Sequence, residues 1–217
     1  MSMSTPQALG ILGGTFDPIH FGHLRMAVEL HTALRLSKVH VLPCYQPVHR
    51  DAPFASSEHR WAMVQRAIAS EPALYADDRE IKRKQPSYTI DTLQAFREEM
   101  PNTPLCLLLG SDAFLGFLNW HRPLDILKLV HLIVAERPSF QLPTSGPLAD
   151  LLKQHRQKDT AFIHEQKAGG IIFQGITALD ISASSIRSQI ALQNNVRYLL
   201  PDSVYDYIQC HDIYRRV

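Results

Sequence analysis

Short apolar runs alternate with amphipathic segments along most of this chain. Continuous runs typical of buried parallel strands occur at residues 8–12, 38–44, 105–109 and 131–135. Between them, apolar residues recur at the three- to four-residue spacing of helices that bury one face. This alternation predicts an α/β fold with a Rossmann-like, doubly wound parallel sheet and helices on both faces.

The amphipathic segments predict helices whose ends are marked by capping residues and prolines. The first carries its apolar face on Leu24, Ala27, Val28 and Leu34. Further helices are predicted after Ser56 or Ser57, from Thr89 to Pro101, over residues 123–130 and 148–155, after Ser182, and near Pro201. Shorter runs predict strands over residues 74–81, 161–163 and 170–173, and residues 139–147 predict a flexible connection.

Composition indicates one α/β domain. A chain of 217 residues with 45% hydrophobic residues can bury a sizeable core. The balance of 22 basic and 21 acidic residues predicts neither a nucleic-acid partner nor a membrane partner. The three cysteines form no metal or disulfide pattern, and residues 1–8 do not resemble a signal peptide. We expect a cytoplasmic protein with an N-terminal extension over 1–8 and a single domain over 9–217.

A glycine-rich loop follows the first predicted strand. Gly13 and Gly14 would let the backbone turn sharply and approach a ligand closely. The helix that begins after the loop points free N–H groups at the same place, which favours an anion. Asp17, just before a proline, either supports the turn or lies near a magnesium ion.

Two histidines mark the start of that helix. His20 and His23 flank Gly22, so both can face the loop. Their ring N–H groups can bind phosphate oxygens and stabilise charge that develops during phosphoryl or nucleotidyl transfer. A zinc pair is the alternative, but no third ligand is obvious. Seven other histidines are predicted to be partly buried and hydrogen-bonded: His31, His40, His59, His131, His155, His164 and His211.

A second candidate anion site begins at residue 181. Ser182 or Ser184 can cap a helix whose next N–H groups would bind a phosphate. Arg187, one turn further on, offers a charge-assisted fork to the same anion. A third polar group, Gly110 to Asp112, follows the predicted central strand, and ligands of open α/β sheets bind at such strand ends.

Two of these segments resemble the signatures of a known superfamily. Residues 13–23 read GGTFDPIHFGH and residues 181–187 read ISASSIR. They resemble the G(G/S)(T/S)FDPxHxGH and ISxSxIR signatures of the nucleotidyltransferase α/β phosphodiesterase superfamily. Within it, Tyr88 and Thr89 before a helix, the segment 110–112 and Trp120 resemble the bacterial nicotinate-nucleotide adenylyltransferase family.

The resemblance implies a reaction. Members of this family join ATP and nicotinate mononucleotide into deamido-NAD and release pyrophosphate, without a covalent enzyme intermediate. Catalysis then rests on positioning and charge stabilisation. By resemblance, the catalytic residues are His20, His23 and Arg187. Magnesium would be held mainly by ATP and water, with no dedicated protein metal site.

The resemblance also implies two sets of binding residues. Those expected to contact ATP are Gly13, Gly14, Thr15, His20, His23, Gly110, Asp112, Ile181, Ser184 and Arg187. Those expected to contact nicotinate mononucleotide are Arg50, Tyr88, Thr89 and Trp120. His49, in the same loop as Arg50, could hold the mononucleotide phosphate with it. In the second set Trp120 would stack on the pyridine ring, and the helix start after Tyr88 would favour a carboxylate over an amide.

Other readings stay open from the sequence alone. A related adenylyltransferase could act on nicotinamide mononucleotide or on phosphopantetheine. A catalytically inactive nucleotide sensor and a flavodoxin-like phosphate-binding domain are two further alternatives. For Lys82, Arg83 and Lys84 we predict a solvated turn rather than an anion site.

Overall fold

A computed structural model describes residues 7–48, 52–136, 140–177 and 179–215. Its strands are β1 (Leu9–Gly14), β2 (Val39–Pro43), β3 (Gln46–Pro47), β4 (Leu74–Ala76), β5 (Pro86–Ser87), β6 (Leu105–Gly110), β7 (His131–Glu136) and β8 (Ile171–Gly175). Its helices are α1 (Phe21–Ala33), α2 (Ser57–Ile68), α3 (Arg79–Arg83), α4 (Thr89–Glu99), α5 (Ser111–Leu115), α6 (Pro123–Leu129), α7 (Pro147–His155), α8 (Phe162–Glu165), α9 (Ala183–Ala191) and α10 (Asp202–Cys210).

Six strands form one parallel sheet in the order β4-β2-β1-β6-β7-β8. Counted along the chain, these six run 3-2-1-4-5-6, which is the order of doubly wound nucleotide-binding sheets. The predicted fold class is therefore confirmed. The order also differs from the 2-1-3-4-5 order of flavodoxin-like sheets, so that alternative is wrong.

Apolar residues fill both faces of the sheet. One buried cluster joins the sheet to α1, α2, α9 and α10, and a second joins it to α4, α5, α6 and α7. Strand β1 contributes to both, because successive side chains point to opposite faces: Leu12 belongs to the first cluster, and Leu9 and Ile11 to the second. The sheet is thus covered on both sides, which is why its strands read as continuous apolar runs.

Most predicted helix ends are confirmed. Ser56 caps α2 by accepting the N–H of His59 at 3.3 Å. Helix α4 begins at Thr89, buries Ile90, Leu93 and Phe96, and ends two residues before Pro101. The loop before α7 ends when Pro147 occupies the first helical turn.

Of the short predicted strands, one is wrong and one is shorter than predicted. Residues 161–163 begin the helical turn α8, which buries Ile163 against the cluster beneath α1. The run is too short for periodicity to separate a strand from a helix. In the stretch 74–81 the strand ends at Ala76, because helix α3 starts at Arg79. Lys82 and Arg83 belong to α3 rather than to a turn.

Most of the remaining histidines form hydrogen bonds within the protein. His40 pairs with Asp77 at 2.9 Å, and His59 lies 3.0 Å from the Tyr207 hydroxyl. His155, His164 and His211 each bond a backbone carbonyl. His131 is fully buried and bonds both the Gln166 carbonyl and the Gly170 N–H.

Candidate active site

The sheet reverses its strand order between β1 and β6, which are neighbours. Helices α1 and α5, which follow these strands, lie on opposite faces. Such a switch point leaves a crevice at the carboxyl ends of the strands, where open α/β sheets bind ligands. The crevice is bordered by Gly14, the last residue of β1, and by Gly110, the last residue of β6.

The glycines of the first loop do not make its turn. Gly13 and Gly14 are the last two residues of β1, and the left-handed residue is Phe16, with φ of 50°. The Phe16 ring folds back so closely that a Cβ at Gly14 would lie 2.9 Å from it. A Cβ at Gly13 would meet nothing within 4 Å, and the same holds for Gly110. Of the two glycines predicted to approach a ligand closely, Gly13 therefore has open space and Gly14 faces the Phe16 ring. The left-handed backbone of the loop belongs to Phe16.

The two histidines of the loop lie together at the start of α1. Their rings stack with centroids 3.7 Å apart, and the edge of Phe16 contacts His23 at 5.0 Å. His20 is buried directly before the helix. A Cβ at Gly22 would lie 3.0 Å from the His20 ring. Gly22 is thus the residue that makes room for this ring.

The second segment lies against the first. The carbonyl oxygen of Ile181 would be 3.6 Å from a Cβ at Gly22, so the two segments are in contact there. Ser182, not Ser184, caps α9, since its Oγ accepts the N–H of Ser185 at 3.2 Å. Ser184 is exposed on the first turn of the helix, with its Oγ 3.3 Å from that of Ser182.

Arg187 joins the two segments directly. Its Nη1 donates to the backbone carbonyl of Asp17 at 2.7 Å and lies 3.9 Å from Asp17 Oδ2. The guanidinium also lies over the Phe54 ring, 4.5 Å from its centroid. Its Nε is buried and finds no acceptor within the described ranges. This buried Nε–H is a donor that the described contacts leave unsatisfied.

Asp17 is not the simple turn residue that we expected. Its carboxylate is buried and accepts the N–H groups of Phe54 and Ala55 at 2.8 and 3.1 Å. It also accepts the Tyr214 hydroxyl at 2.6 Å. Its partners are therefore distant in sequence, and Asp17 ties the first loop to two other parts of the chain.

Sequence reasoning missed one buried charge near the site. Arg60 of α2 is only 1% exposed and donates to the carbonyls of Thr15, Tyr45 and Ala55 at 2.8, 2.9 and 3.2 Å. No carboxylate of the described residues forms an ion pair with it. The available signal was its place in the apolar stripe of α2, which also buries Met63, Val64 and Ile68.

A second group of segments lies beside the crevice. Strands β3 and β5 pair with each other, and the N–H of Tyr45 donates to Ser87 Oγ at 3.0 Å. These contacts hold the chain leading to Tyr88 and Thr89. Tyr88 precedes α4 without capping it through its side chain. Its own N–H already donates to the Pro86 carbonyl, so the free donors of this helix start begin at Thr89.

Trp120 lies on the same side of the sheet as Tyr88. Both pack, partly buried, against the apolar cluster beneath α4 and α6. The Trp120 ring contacts Phe117 at 5.8 Å, and the neighbouring His121 ring contacts Tyr88 at 4.9 Å. His121 was not singled out from the sequence. Asp112 is exposed on the first turn of α5, next to the open space at Gly110.

Two of the residues considered for ligand binding, His49 and Arg50, lie outside the described residues. Within the described ranges, no three His, Cys, Asp or Glu side chains group closely enough to hold a metal ion. No helix in the same ranges has the length and apolar character that a bilayer span requires.

Burial raises the pKa of the Cys44 thiol, whose Sγ lies 3.8 Å from Arg60 Nη1.

Comparison with known proteins identifies relatives across the whole chain. The cytidylyltransferase-like family model matches residues 11–189. A protein of Aeromonas hydrophila named "probable nicotinate-nucleotide adenylyltransferase" is 46% identical over 207 residues, which cover 95% of this chain and 97% of that one. A protein of Acidithiobacillus ferrooxidans with the same name is 44% identical over 99% of both chains.

Solved structures share the fold at lower identity. The nicotinic acid mononucleotide adenylyltransferase of Plasmodium falciparum in complex with APC superposes with a TM-score of 0.71 at 21% identity. The match covers 96% of this chain and 98% of that one. The same enzyme in complex with NaAD gives a TM-score of 0.72 at 20% identity. The chain belongs to the cytidylyltransferase-like family and, within it, to the nicotinate-nucleotide adenylyltransferases.

Proposed function

We propose that this chain transfers the adenylyl group of ATP to nicotinate mononucleotide, giving deamido-NAD and pyrophosphate. The observation that carries the proposal is the contact between Arg187 and Asp17. It joins the two signature segments at the switch point of the sheet. The starts of α1 and α9 then face the same crevice as His20, His23 and Arg187. Such a group of N–H donors and cationic side chains suits a polyphosphate. The names of the 46% and 44% identical relatives support the same reaction.

In the proposed reaction, a phosphate oxygen of the mononucleotide attacks the α-phosphorus of ATP. The bond from that phosphorus to the bridging oxygen breaks, and pyrophosphate leaves with its electron pair. His20 and His23 stabilise the charge on the reacting phosphate. Ser184 and Arg187 hold the departing phosphates, and Ile181 places their helix start against Gly22. Gly13, Gly14 and Thr15 line the same crevice.

The other side of the crevice would hold the remaining groups. Gly110 offers open space for the nucleoside, with Asp112 next to it for a ribose hydroxyl. Magnesium would be coordinated mainly by ATP oxygens and water. We further propose that residues 9–217 act as one nucleotidyltransferase domain, because both signature segments border one sheet.

The residues proposed to bind the mononucleotide favour nicotinate, an acid, over nicotinamide, an amide. Helix α4 starts without a side-chain cap, so the Thr89 N–H and the positive end of the helix can meet the nicotinate carboxylate. Trp120 would stack on the cationic pyridine ring, and Arg50 would bind the mononucleotide phosphate. A hydrogen bond to a charged group is worth about 1.5–3 kcal/mol. The preference for nicotinate over nicotinamide mononucleotide should therefore reach about 10- to 100-fold in kcat/KM.

A pyrophosphate-release assay with ATP and magnesium tests this proposal. Nicotinate mononucleotide, nicotinamide mononucleotide and phosphopantetheine are compared as acceptors. We expect turnover with the nicotinate compound and much less with the other two. His23→Ala is the negative control and should abolish release while leaving the thermal unfolding curve intact.

Two outcomes would contradict the proposal. A strong preference for nicotinamide mononucleotide would show that the start of α4 does not bind the nicotinate carboxylate. Wild-type turnover by His23→Ala would remove the proposed charge stabilisation. An inactive sensor, by contrast, would bind ATP and release no pyrophosphate with any acceptor.

A further inference from the structure

The Asp17 carboxylate is a buried junction of three chain segments. It is 4% exposed, and both oxygens are used. Oδ2 accepts the Phe54 N–H, and Oδ1 accepts both the Ala55 N–H and the Tyr214 hydroxyl. A buried carboxylate needs such donors to offset its desolvation. Removing one donor therefore disturbs a site that has few ways to compensate.

Tyr214 supplies the donor that comes from farthest away in the sequence. Its side chain is 5% exposed and packs in the cluster that includes α1 and α9. Burial, followed by the neighbouring Asp17 charge, raises the pKa of the Tyr214 phenol. The hydroxyl therefore keeps its proton at neutral pH and stays a donor. The hydrogen bond of 2.6 Å is short, as expected for a donor facing an ionised group.

Asp17 in turn holds Arg187 by two routes. Its backbone carbonyl accepts Arg187 Nη1 at 2.7 Å. Its Oδ2 holds the N–H of Phe54, whose ring lies under the guanidinium. A shift of Asp17 would change both contacts together. Tyr214 and Arg187 thus both contact Asp17, Tyr214 at Oδ1 and Arg187 at the backbone carbonyl.

We propose that Tyr214 is a positioning residue which, through Asp17, fixes the Arg187 guanidinium for the phosphates of ATP. The inference rests on the proposed function, because it takes Arg187 as a phosphate ligand. It assigns the segment that follows α10 a role in nucleotide binding. That segment carries none of the residues that the signatures point to.

Titration of the protein with ATP and magnesium, without acceptor, tests this inference. Tyr214→Phe removes the hydroxyl and keeps the ring. We expect about tenfold weaker ATP binding, in line with the loss of one hydrogen bond to a charged group. In the full assay the KM for ATP should rise similarly, while the KM for the mononucleotide stays within about twofold. A purely structural role would not produce this split between the two substrates.

Tyr207→Phe is the matched control. Its hydroxyl also makes a 3.0 Å hydrogen bond, to His59, and α10 carries it on the same side of the protein. We expect both variants to lose some thermal stability and only Tyr214→Phe to lose ATP affinity. Asp17→Asn, which disturbs the junction from its centre, should weaken ATP binding in the same direction.

A double-mutant cycle decides whether the effect passes through Arg187. In an Arg187→Gln background, Tyr214→Phe should weaken ATP binding no further. Independent, multiplying effects would overturn the inference, as would unchanged ATP affinity in Tyr214→Phe. Failure of the wild-type protein to bind ATP would instead overturn the proposed function, and the inference with it.

Discussion

The glycines around the crevice are required for two different physical reasons. Gly22 makes room for the His20 ring, and Gly14 makes room for the Phe16 ring, so a side chain at either would move a neighbour. Gly13 and Gly110 face open space instead. Packing therefore does not explain these two, whereas the nucleotide site proposed above would. The sequence could show that the glycines mattered, but only the structure separates the two reasons.

Gly13→Ala should leave the fold intact and weaken nucleotide binding. The added Cβ meets no atom within 4 Å, and Gly13 does not have a positive φ. Its free energy of unfolding should stay equal or rise by up to about 1 kcal/mol, because alanine restricts the unfolded chain. The KM for ATP should rise. Denaturant unfolding and the pyrophosphate assay measure the two quantities.

Gly10→Ala is the contrasting control. Its Cβ would lie 2.9 Å from side-chain atoms of both Leu36 and Val39, so this variant should lose stability. If Gly13→Ala bound ATP as tightly as the wild type, the backbone at Gly13 would not approach the ligand.

Arg60 shows the limit of sequence reasoning at this scale. A single arginine on an amphipathic helix usually faces solvent, and its three carbonyl partners come from other segments. Those partners are defined only once the loops have folded around it.

At the scale of elements, the two serines at the start of α9 have different positions and roles. Ser182 satisfies a backbone N–H of the helix, whereas Ser184 is exposed one residue into it. The sequence left both as possible caps, because either serine precedes the apolar residues at a suitable distance. The structure assigns the cap to Ser182, and Ser184 remains available to a ligand.

The two serines should therefore respond differently to alanine. Ser182→Ala should cost about 1 kcal/mol of stability, the usual effect of losing an N-cap. Ser184→Ala should change stability by less than about 0.5 kcal/mol, as surface substitutions do, and raise the KM for ATP. Denaturant unfolding and steady-state kinetics on both variants test this. The reverse pattern would mean that Ser184 supports the helix and Ser182 serves the ligand.

Element length decided which parts of the fold could be predicted. The central strands β1, β6 and β7 were predicted because each is a continuous apolar run of at least four residues. Strands β3 and β5 have two residues each and no apolar pattern, so neither was predicted. Helices α3, α5 and α8 have four or five residues, too few to show a period.

At the scale of the whole molecule, buried histidine links stability to pH. His131 is fully buried, with Nδ1 accepting the Gly170 N–H and Nε2 donating to the Gln166 carbonyl. The bond from Gly170 needs the neutral ring, because a protonated Nδ1 could not accept it. Burial lowers the pKa of His131 below its ordinary value of 6.5. The unfolded chain therefore takes up a proton at a pH where the folded protein does not.

The free energy of unfolding should consequently fall as the pH drops below about 6.5. Above that pH, His131 is neutral in both states, and the stabilisation from its neutral ring is fully present. One such group changes the stability by at most about 1.4 kcal/mol per pH unit. Denaturant unfolding between pH 5 and 7.5 should show a shallower slope for His131→Asn than for the wild type. Equal slopes in the variant and the wild type would contradict the prediction.

The doubly wound fold class could be inferred from the sequence because strands and helices alternate and parallel crossovers are right-handed. The strand order could not, because the 3-2-1-4-5-6 and 2-1-3-4-5 orders share this alternation. The contacts that close the site could not. Asp17 and Tyr214 are 197 positions apart, and a lone tyrosine near a run of polar residues carries no signal of its partner.

That separation also fixes an order in time. A ribosome makes the loop that holds Asp17 early and Tyr214 only after all the strands of the sheet. Domains generally fold as units during synthesis, so the junction at Asp17 can be completed only after residue 214 has left the ribosome. On the role proposed for Tyr214, a chain still under synthesis holds ATP weakly, and full nucleotide affinity arrives only once translation has passed residue 214.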